Sequence, residues 1–292
     1  MKVLLTGGSG FIGRSVVEQL GGRYEILAPR HAELELTDAD AVAAWLARHP
    51  VDAVIHAAVR PGHRNAADAS RQLDMNLRMY ANLVRCRDLW GRLVYLSSGA
   101  VYAAQRDIVR ATESDAGKVV PADDHGFSRY VIADLVRHDE RVVELRPFGV
   151  FGAYEDYAIR FISNAICKTL FDLPVTLRQD RRFSYLYVDD LMPILAHVIE
   201  HDAGDKAYNV VPDDSCRLRE IADLVVAVSG KDLPVQAARD GLGLEYTGDN
   251  ARLRAEMPDL RFTPTSEAVE RLYEWYAAHK SGIVYARLLV DK

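Results

Sequence analysis

Cysteine is scarce in this 292-residue chain: Cys86, Cys167 and Cys216 lie far apart, and none sits in Cys-x-x-Cys spacing. That excludes a disulfide scaffold and offers no metal-ligand pattern, and it predicts free thiols in a reducing compartment, with the cytoplasm as the expected location. Long apolar runs are missing as well. No stretch approaches the roughly 20 apolar residues of a membrane helix. The opening MKVLLTGGSGFIG carries one lysine and a short apolar run that glycines interrupt, as in a strand rather than a signal peptide. Nor is positive charge in excess, with 36 Lys and Arg against 42 Asp and Glu. A phosphate backbone needs a concentrated basic face, so a nucleic acid is not the expected partner, although a local basic pocket for a small phosphorylated ligand remains open. Repeats, biased segments and interdomain linkers are absent too. With 49% hydrophobic and 9% aromatic residues, the chain has ample surface to bury, and disorder is excluded.

What is present is alternation. Short aliphatic runs at Lys2–Thr6, Tyr24–Ala28, Val51–His56, Arg92–Leu96 and Val142–Leu145 read as strands. Helical periods fall between them: Phe11–Leu20, a helix capped by Thr37 or Asp38 that runs to about Arg48, Ala67 to about Leu89, and a helix carrying Tyr130 and Leu135. Strands and helices at this spacing predict right-handed crossovers and a doubly wound parallel sheet covered on both faces, an α/β fold of Rossmann type. After Gly152 the pattern loosens. Helices are expected at Ala158–Leu170, Leu191–Glu200, Leu218–Ser229 and Ser266–His279, with strands near Phe183–Val188 and Ala207–Val211. The polar stretch Asp240–Asn250 reads as loop, and the tail Ser281–Lys292 as ambiguous. The division expected is a dinucleotide-binding domain over 1–152, with segments near 183–211 returning to it, and a smaller substrate-binding lobe mainly over 153–292.

The segment Thr6-Gly-Gly-Ser-Gly-Phe-Ile-Gly13 follows the first strand and opens the first helix. Gly7 permits a tight turn, Gly10 lets backbone amides approach a pyrophosphate, and Gly13 lets the helix pack closely on the sheet. The helix N-terminus, with Phe11 and Ile12 in its first turn, favours the negative charge. Where an acidic residue would bind the adenosine ribose, the second strand ends in Ala28-Pro29-Arg30-His31. Arg30 offers a charge-assisted fork to a 2′-phosphate, so NADP(H) is expected in preference to NAD(H).

On these features and others the chain resembles the extended short-chain dehydrogenase/reductases that act on nucleotide sugars as epimerases, dehydratases and reductases. The resemblance runs over nearly the whole chain. It rests on TGGSGFIG, His56-Ala57-Ala58, Asn76, Ser97-Ser98-Gly-Ala-Val-Tyr102, LRPFGVFG at Leu145–Gly152, and RRFSYLYVDDL at Arg181–Leu191. It implies a dinucleotide seated on Gly7, Gly10, Phe11, Ile12, Gly13, Ala57 and Ala58, and a nucleotide-diphosphate sugar as substrate. Ser98 matches the catalytic serine of such enzymes, which pair it with Tyr-x-x-x-Lys. Here the matching helix reads His125-Gly126-Phe127-Ser128-Arg129, so His125 stands for the tyrosine and Arg129 for the lysine. A rival register uses Tyr130 and Asp134. It loses the Gly and Ser matches, and residues five apart on a helix point about 140° apart, so Tyr130 and His125 cannot share a face. Histidine titrates near neutrality unaided, and Arg129 should favour its neutral form while donating to ribose hydroxyls.

The resemblance also narrows the chemistry. Gly99 and Ala100 stand where 4,6-dehydratases place an acidic pair, and Gly99 where 3,5-epimerising reductases place a cysteine. Hydride transfer alone remains, most simply at carbon 4 as keto reduction or oxidation. A 4-epimerase with tightly held NAD and a catalytically silent cofactor-binding relative are the alternatives. Arg182, with Arg160 as a second candidate, matches the arginine that reaches the sugar-nucleotide diphosphate. Gly149 replaces an asparagine that contacts substrate in many relatives, and Asp189 and Asp190 read as helix caps. A homodimer through Met75–Leu89 and Phe127–Arg137 is expected.

Overall fold

The computed structural model describes residues 1–61 and 70–289. The expected start of the third helix, residues 67–69, and the end of the tail, 290–292, lie outside the described residues. In chain order, β1 (Lys2–Thr6), α1 (Phe11–Leu20), β2 (Glu25–Leu27), α2 (Ala39–Arg48), β3 (Val51–His56), α3 (Gln72–Arg85) and β4 (Trp90–Leu96) come first. β5 (Ile108–Ala111), α4 (Asp124–Val136), β6 (Val142–Pro147) and β7 (Gly149–Phe151) complete the first half. The second half has α5 (Phe161–Leu170), β8 (Val175–Asp180), β9 (Arg182–Phe183), β10 (Tyr185–Tyr187), α6 (Leu191–Glu200) and β11 (Ala207–Val210). It ends with β12 (Cys216–Arg217), α7 (Leu218–Ser229), β13 (Val235–Leu242), β14 (Tyr246–Gly248), α8 (Ala251–Glu256) and α9 (Thr265–Ala278).

The main sheet is parallel throughout, in the order β11-β6-β4-β3-β1-β2. Side chains alternate across it as strand geometry requires. Val3, Leu5, Ala53, Ile55, Val94 and Leu96 face one core with Val16 of α1 and Ile194 of α6. Leu4, Val54, Leu93 and Tyr95 face the other with Val42 and Leu46 of α2, Leu83 of α3 and Ile132 of α4. Asp38 starts α2, its carboxylate accepting the amides of Asp40 and Ala41. Strand order reverses between β1 and β3. A crevice therefore opens at their carboxyl ends, where ligands of such sheets bind.

The second half has its own core of α5, α7, α9 and β8 residues, including Ile166, Leu177, Ile221, Val225 and Leu272. Two small sheets join it to the first half. β10 pairs with β7, and β14 of the second half pairs with β5 of the first and with β9. The strands β5, β7, β8, β12, β13 and β14 and the helix α8 depart from the sequence expectation. β13 shows why: nearly all of it is exposed, and pairing with β8, Val235 opposite Val175, holds it in place of burial.

Candidate active site

The glycine loop turns out of β1 at Gly7, whose φ of +76° suits glycine. A Cβ there would also lie 2.7 Å from the backbone nitrogen of Ala58, so Gly7 is pressed against the strand end that carries Ala57 and Ala58. At Gly13 a Cβ would meet the Gly7 carbonyl oxygen at 2.1 Å. Gly10 differs: a Cβ there would meet only that oxygen, at 3.3 Å, and would otherwise project into open space. Gly10 is also the N-cap of α1, which has no side-chain cap and no acidic residue in its first turn. The amides of this turn are left to an outside anion, and the cradle fits a dinucleotide pyrophosphate.

Two depressions meet at this loop. One is lined by Gly7, Gly8, Ala28, Arg30, His31 and Ala58 at the ends of β1 and β2. Arg30 is highly exposed there, with its Nε 3.6 Å from Glu33. The other is a cleft of about 660 Å³, lined by Gly10, Phe11, Ile12 and Gly13 on one side and by Ala57, Asp123, His125 and Arg160 around it. This is within the size range of small-molecule sites.

His125 and Arg129 sit one turn apart on α4, whose N-cap Asp123 accepts the Gly126 amide with its carboxylate. Arg129 is buried, with its Nη1 donating to Ser128 at 3.3 Å and its Nε left without a hydrogen-bond partner among the described residues. Burial and the Arg129 charge push His125 down to about 4, with Asp123 opposing and Arg160 assisting. His125 is thus a neutral imidazole at pH 7. His56, buried with Nδ1 2.8 Å from the Thr6 hydroxyl, is likewise pushed down to about 3 by burial and then by Arg129. Tyr130 turns elsewhere, stacking on Phe127 and packing against the cluster that contains Val101 and Tyr102. Asp134 pairs at the surface with Arg137.

Ser98 lies two residues past β4 and caps the following turn by accepting the Ala100 amide. Its hydroxyl lies 3.3 Å from that of Tyr246 on β14, within the stretch whose composition predicts a loop. The alternation Leu242, Leu244, Tyr246 is the only local signal of a strand there. Asn76 serves the structure, accepting the Arg60 amide and so pinning the chain after β3. A Cβ at Gly99 would run into the Phe148 ring at 2.7 Å, so no acidic residue or cysteine fits there. At Gly149 the space for a side chain is taken by Phe183, 2.3 Å from a Cβ.

The two arginines named for substrate part company. Arg160 stands at the N-cap position of α5, without a side-chain cap bond, and lines the cleft. Arg182 is exposed on the other side of its strand from Phe183, donates to the Ser215 carbonyl at 2.9 Å and lines a separate depression with Arg110 and Asp213. Its neighbour Arg181, which no motif singles out, stacks 4.8 Å over the Phe183 ring. Strand alternation places Arg181, Phe183 and Tyr185 on one face. Arg181 lines a further depression with Arg178, Arg239 and Phe161, so this basic patch adjoins the cleft across the first turn of α5.

Residues 3–211 match the family described as the NAD dependent epimerase/dehydratase family. A dTDP-4-dehydro-6-deoxy-D-allose reductase from Streptomyces sp. is 26% identical over 95% of this chain and 97% of its own. Among solved structures, a GDP-L-fucose synthetase from Naegleria fowleri bound to NADP superposes with a TM-score of 0.81 at 16% identity, over 96% of this chain and 93% of that one. A GDP-mannoheptose C4 reductase from Campylobacter jejuni, also with NADP bound, gives a TM-score of 0.81 at 16% identity, over 94% and 98%.

Proposed function

This chain belongs to the NAD-dependent epimerase/dehydratase family, and from that premise we propose that it reduces the 4-keto group of a nucleotide-activated sugar with NADPH. The observation that carries this reading is the position of His125 in the same cleft as the uncapped first turn of α1, one helical turn from the buried Arg129. The dinucleotide supplies hydride when bound. Gly7, Gly10, Phe11, Ile12, Gly13, Ala57 and Ala58 hold its pyrophosphate region, Arg30 its 2′-phosphate, and Arg129 the hydroxyls of the nicotinamide ribose. Ser98 hydrogen-bonds the substrate oxygen. His125 adds a neutral imidazole that can orient substrate; charged imidazolium is too rare at pH 7 to be the main proton donor.

Residues 1–152, with the returning segments of 183–211, serve the cofactor, and 153–292 mainly the substrate. Arg160, Arg178, Arg181 and Arg239 give a local positive patch suited to a diphosphate, in a chain whose net charge is −6. The named relatives act on dTDP- and GDP-linked sugars, and both nucleotides belong in the trial set. Among the described residues no helix is long and apolar enough to cross a membrane. The three free thiols support a reducing, cytoplasmic location. The packed pair α3 and α4 is the face assigned to a homodimer.

The test is NADPH consumption by the purified protein with dTDP- and GDP-linked 4-keto-6-deoxyhexoses. Turnover is expected with NADPH ahead of NADH, and Arg30→Ala should weaken NADPH by about tenfold, the scale of a hydrogen bond to a charged group, while NADH stays within about twofold. Cofactor binding without turnover on any such sugar would leave a silent relative.

A further inference from the structure

The Tyr-x-x-x-Lys of related enzymes places a phenol beside the catalytic serine from the helix that is α4 here. In this chain α4 brings an imidazole, yet a phenol still stands beside that serine. Tyr246 reaches Ser98 from a strand of the second half, held between β5 and β9. Its ring is clamped by Phe148 and Phe183, each 4.8 Å from it between centres. The ring is buried, and the groups that act on its hydroxyl are Ser98, Arg181, Asp123 and Arg160. Its contact is with Ser98, and two of the charges that bear on it, Asp123 and Arg160, line the cofactor cleft.

Resting on the keto-reductase reading above, we infer that Tyr246, through its contact with Ser98, is the residue that gives the substrate oxygen its proton. In the step, a C–H bond forms at carbon 4 with the electron pair of hydride from reduced dinucleotide, the reductant. The carbon–oxygen double bond becomes single, and the oxygen takes the proton as the Tyr246 O–H bond breaks. The phenolate then regains a proton from solvent water. Reduction of the ketone is balanced by oxidation of the dinucleotide.

The chemistry of the two candidates separates them. Burial pushes Tyr246 up to about 12, with Ser98, Arg181 and Arg160 opposing and Asp123 assisting, so the phenol carries its proton at every working pH. His125, held near 4, carries a second proton in only about one molecule in a thousand at pH 7. A donor of this kind serves reduction.

The pH profile of the wild-type rate and the variant Tyr246→Phe test this together. With Tyr246 as donor, kcat for 4-keto reduction is level between about pH 6 and pH 9; a His125 donor would make it fall about tenfold per pH unit across that range. Tyr246→Phe keeps the ring between Phe148 and Phe183 and should lose about 10² or more in kcat, with dinucleotide affinity and Tm unchanged. A readout free of turnover is the tyrosinate absorbance of the protein without substrate. One tyrosine ionising near pH 12 should vanish in Tyr246→Phe and move higher in Ser98→Ala, which loses the hydroxyl that favours the phenolate. A variant as fast as wild type, or a rate falling tenfold per pH unit, overturns the proposal and leaves the keto-reductase reading standing. Failure of wild type on every 4-keto sugar removes that reading and this step with it.

Discussion

The guanidinium carbon of Arg129 stands 5.7 Å from the ring centre of Tyr95, and no carboxylate among the described residues pairs with this buried charge. A buried cation with no counter-charge is costly, and one aromatic face recovers only part of the cost. The two histidines nearby remain neutral in its field. Such a charge makes sense as a group awaiting acceptors, here the ribose hydroxyls of a dinucleotide. Arg129→Met should therefore keep or raise the Tm of the free protein while weakening dinucleotide binding by about tenfold or more, as expected when charge-assisted hydrogen bonds are lost. It should also move His125 upward from about 4, readable by NMR titration. A variant that loses Tm and keeps affinity would make Arg129 a structural residue only.

The glycine loop predicts opposite outcomes at two positions. At Gly10 an added side chain enters open cleft, so Gly10→Val should fold with a near-normal Tm and lose dinucleotide binding. At Gly13 even a methyl group would overlap the Gly7 carbonyl, and Gly13→Ala should lower Tm before any question of binding arises. Thermal melts with and without NADPH separate the two. Undiminished affinity in a folded Gly10→Val protein would move the dinucleotide away from this loop.

Two adjacent arginines offer a sharper check on the substrate side. Arg181→Ala removes a cation stacked on Phe183 and lining the basic depression with Arg178 and Arg239. Its KM for the nucleotide sugar should rise about tenfold, with kcat little changed, the signature of lost uniform binding. Arg182→Ala, whose side chain is tied to Ser215 in another depression, should leave KM within about twofold of wild type. The reverse ranking would return the diphosphate to Arg182.

Stability should depend on pH through His56. In the unfolded chain it takes up a proton near its ordinary value of about 6.5, whereas in the folded protein it stays neutral down to about 3. Between those values the unfolded state binds more protons, so stability is fully present above about pH 6.5 and declines as pH falls toward 3. His125 adds to the same trend over its upper part. Replacing His56 by glutamine, which can still bond the Thr6 hydroxyl without titrating, should flatten the fall in Tm between about pH 6 and pH 4. An unchanged slope would assign the acid sensitivity to other groups.

How much of the molecule is legible in its sequence depends on what holds each element in place. Strands buried on both faces, such as Leu4 and Leu5 of β1, announce themselves as apolar runs, and α6 and α7 fall at the very residues their periodicity indicates. β13 buries almost nothing, and β14 is three residues long; both exist through pairing with distant strands. Beyond the alternation of Leu242, Leu244 and Tyr246, local pattern carries no trace of that. The same reason hides Tyr246, which meets Ser98 across 148 positions of chain. Arg181 is hidden differently. It and Arg182 are identical as letters, and only the alternation set by Phe183 decides which of them joins the basic depression beside Phe161.

The central claim is hydride delivery to carbon 4, and its most direct measurement uses NADPH deuterated at the transferable position of the nicotinamide. With a dTDP- or GDP-linked 4-keto-6-deoxyhexose, deuterium should appear at carbon 4 of the sugar, one atom per dinucleotide oxidised, and should be absent with Gly10→Val. Deuterium at another carbon, or sugar interconversion with no net oxidation of the dinucleotide and no label gained, would contradict the account.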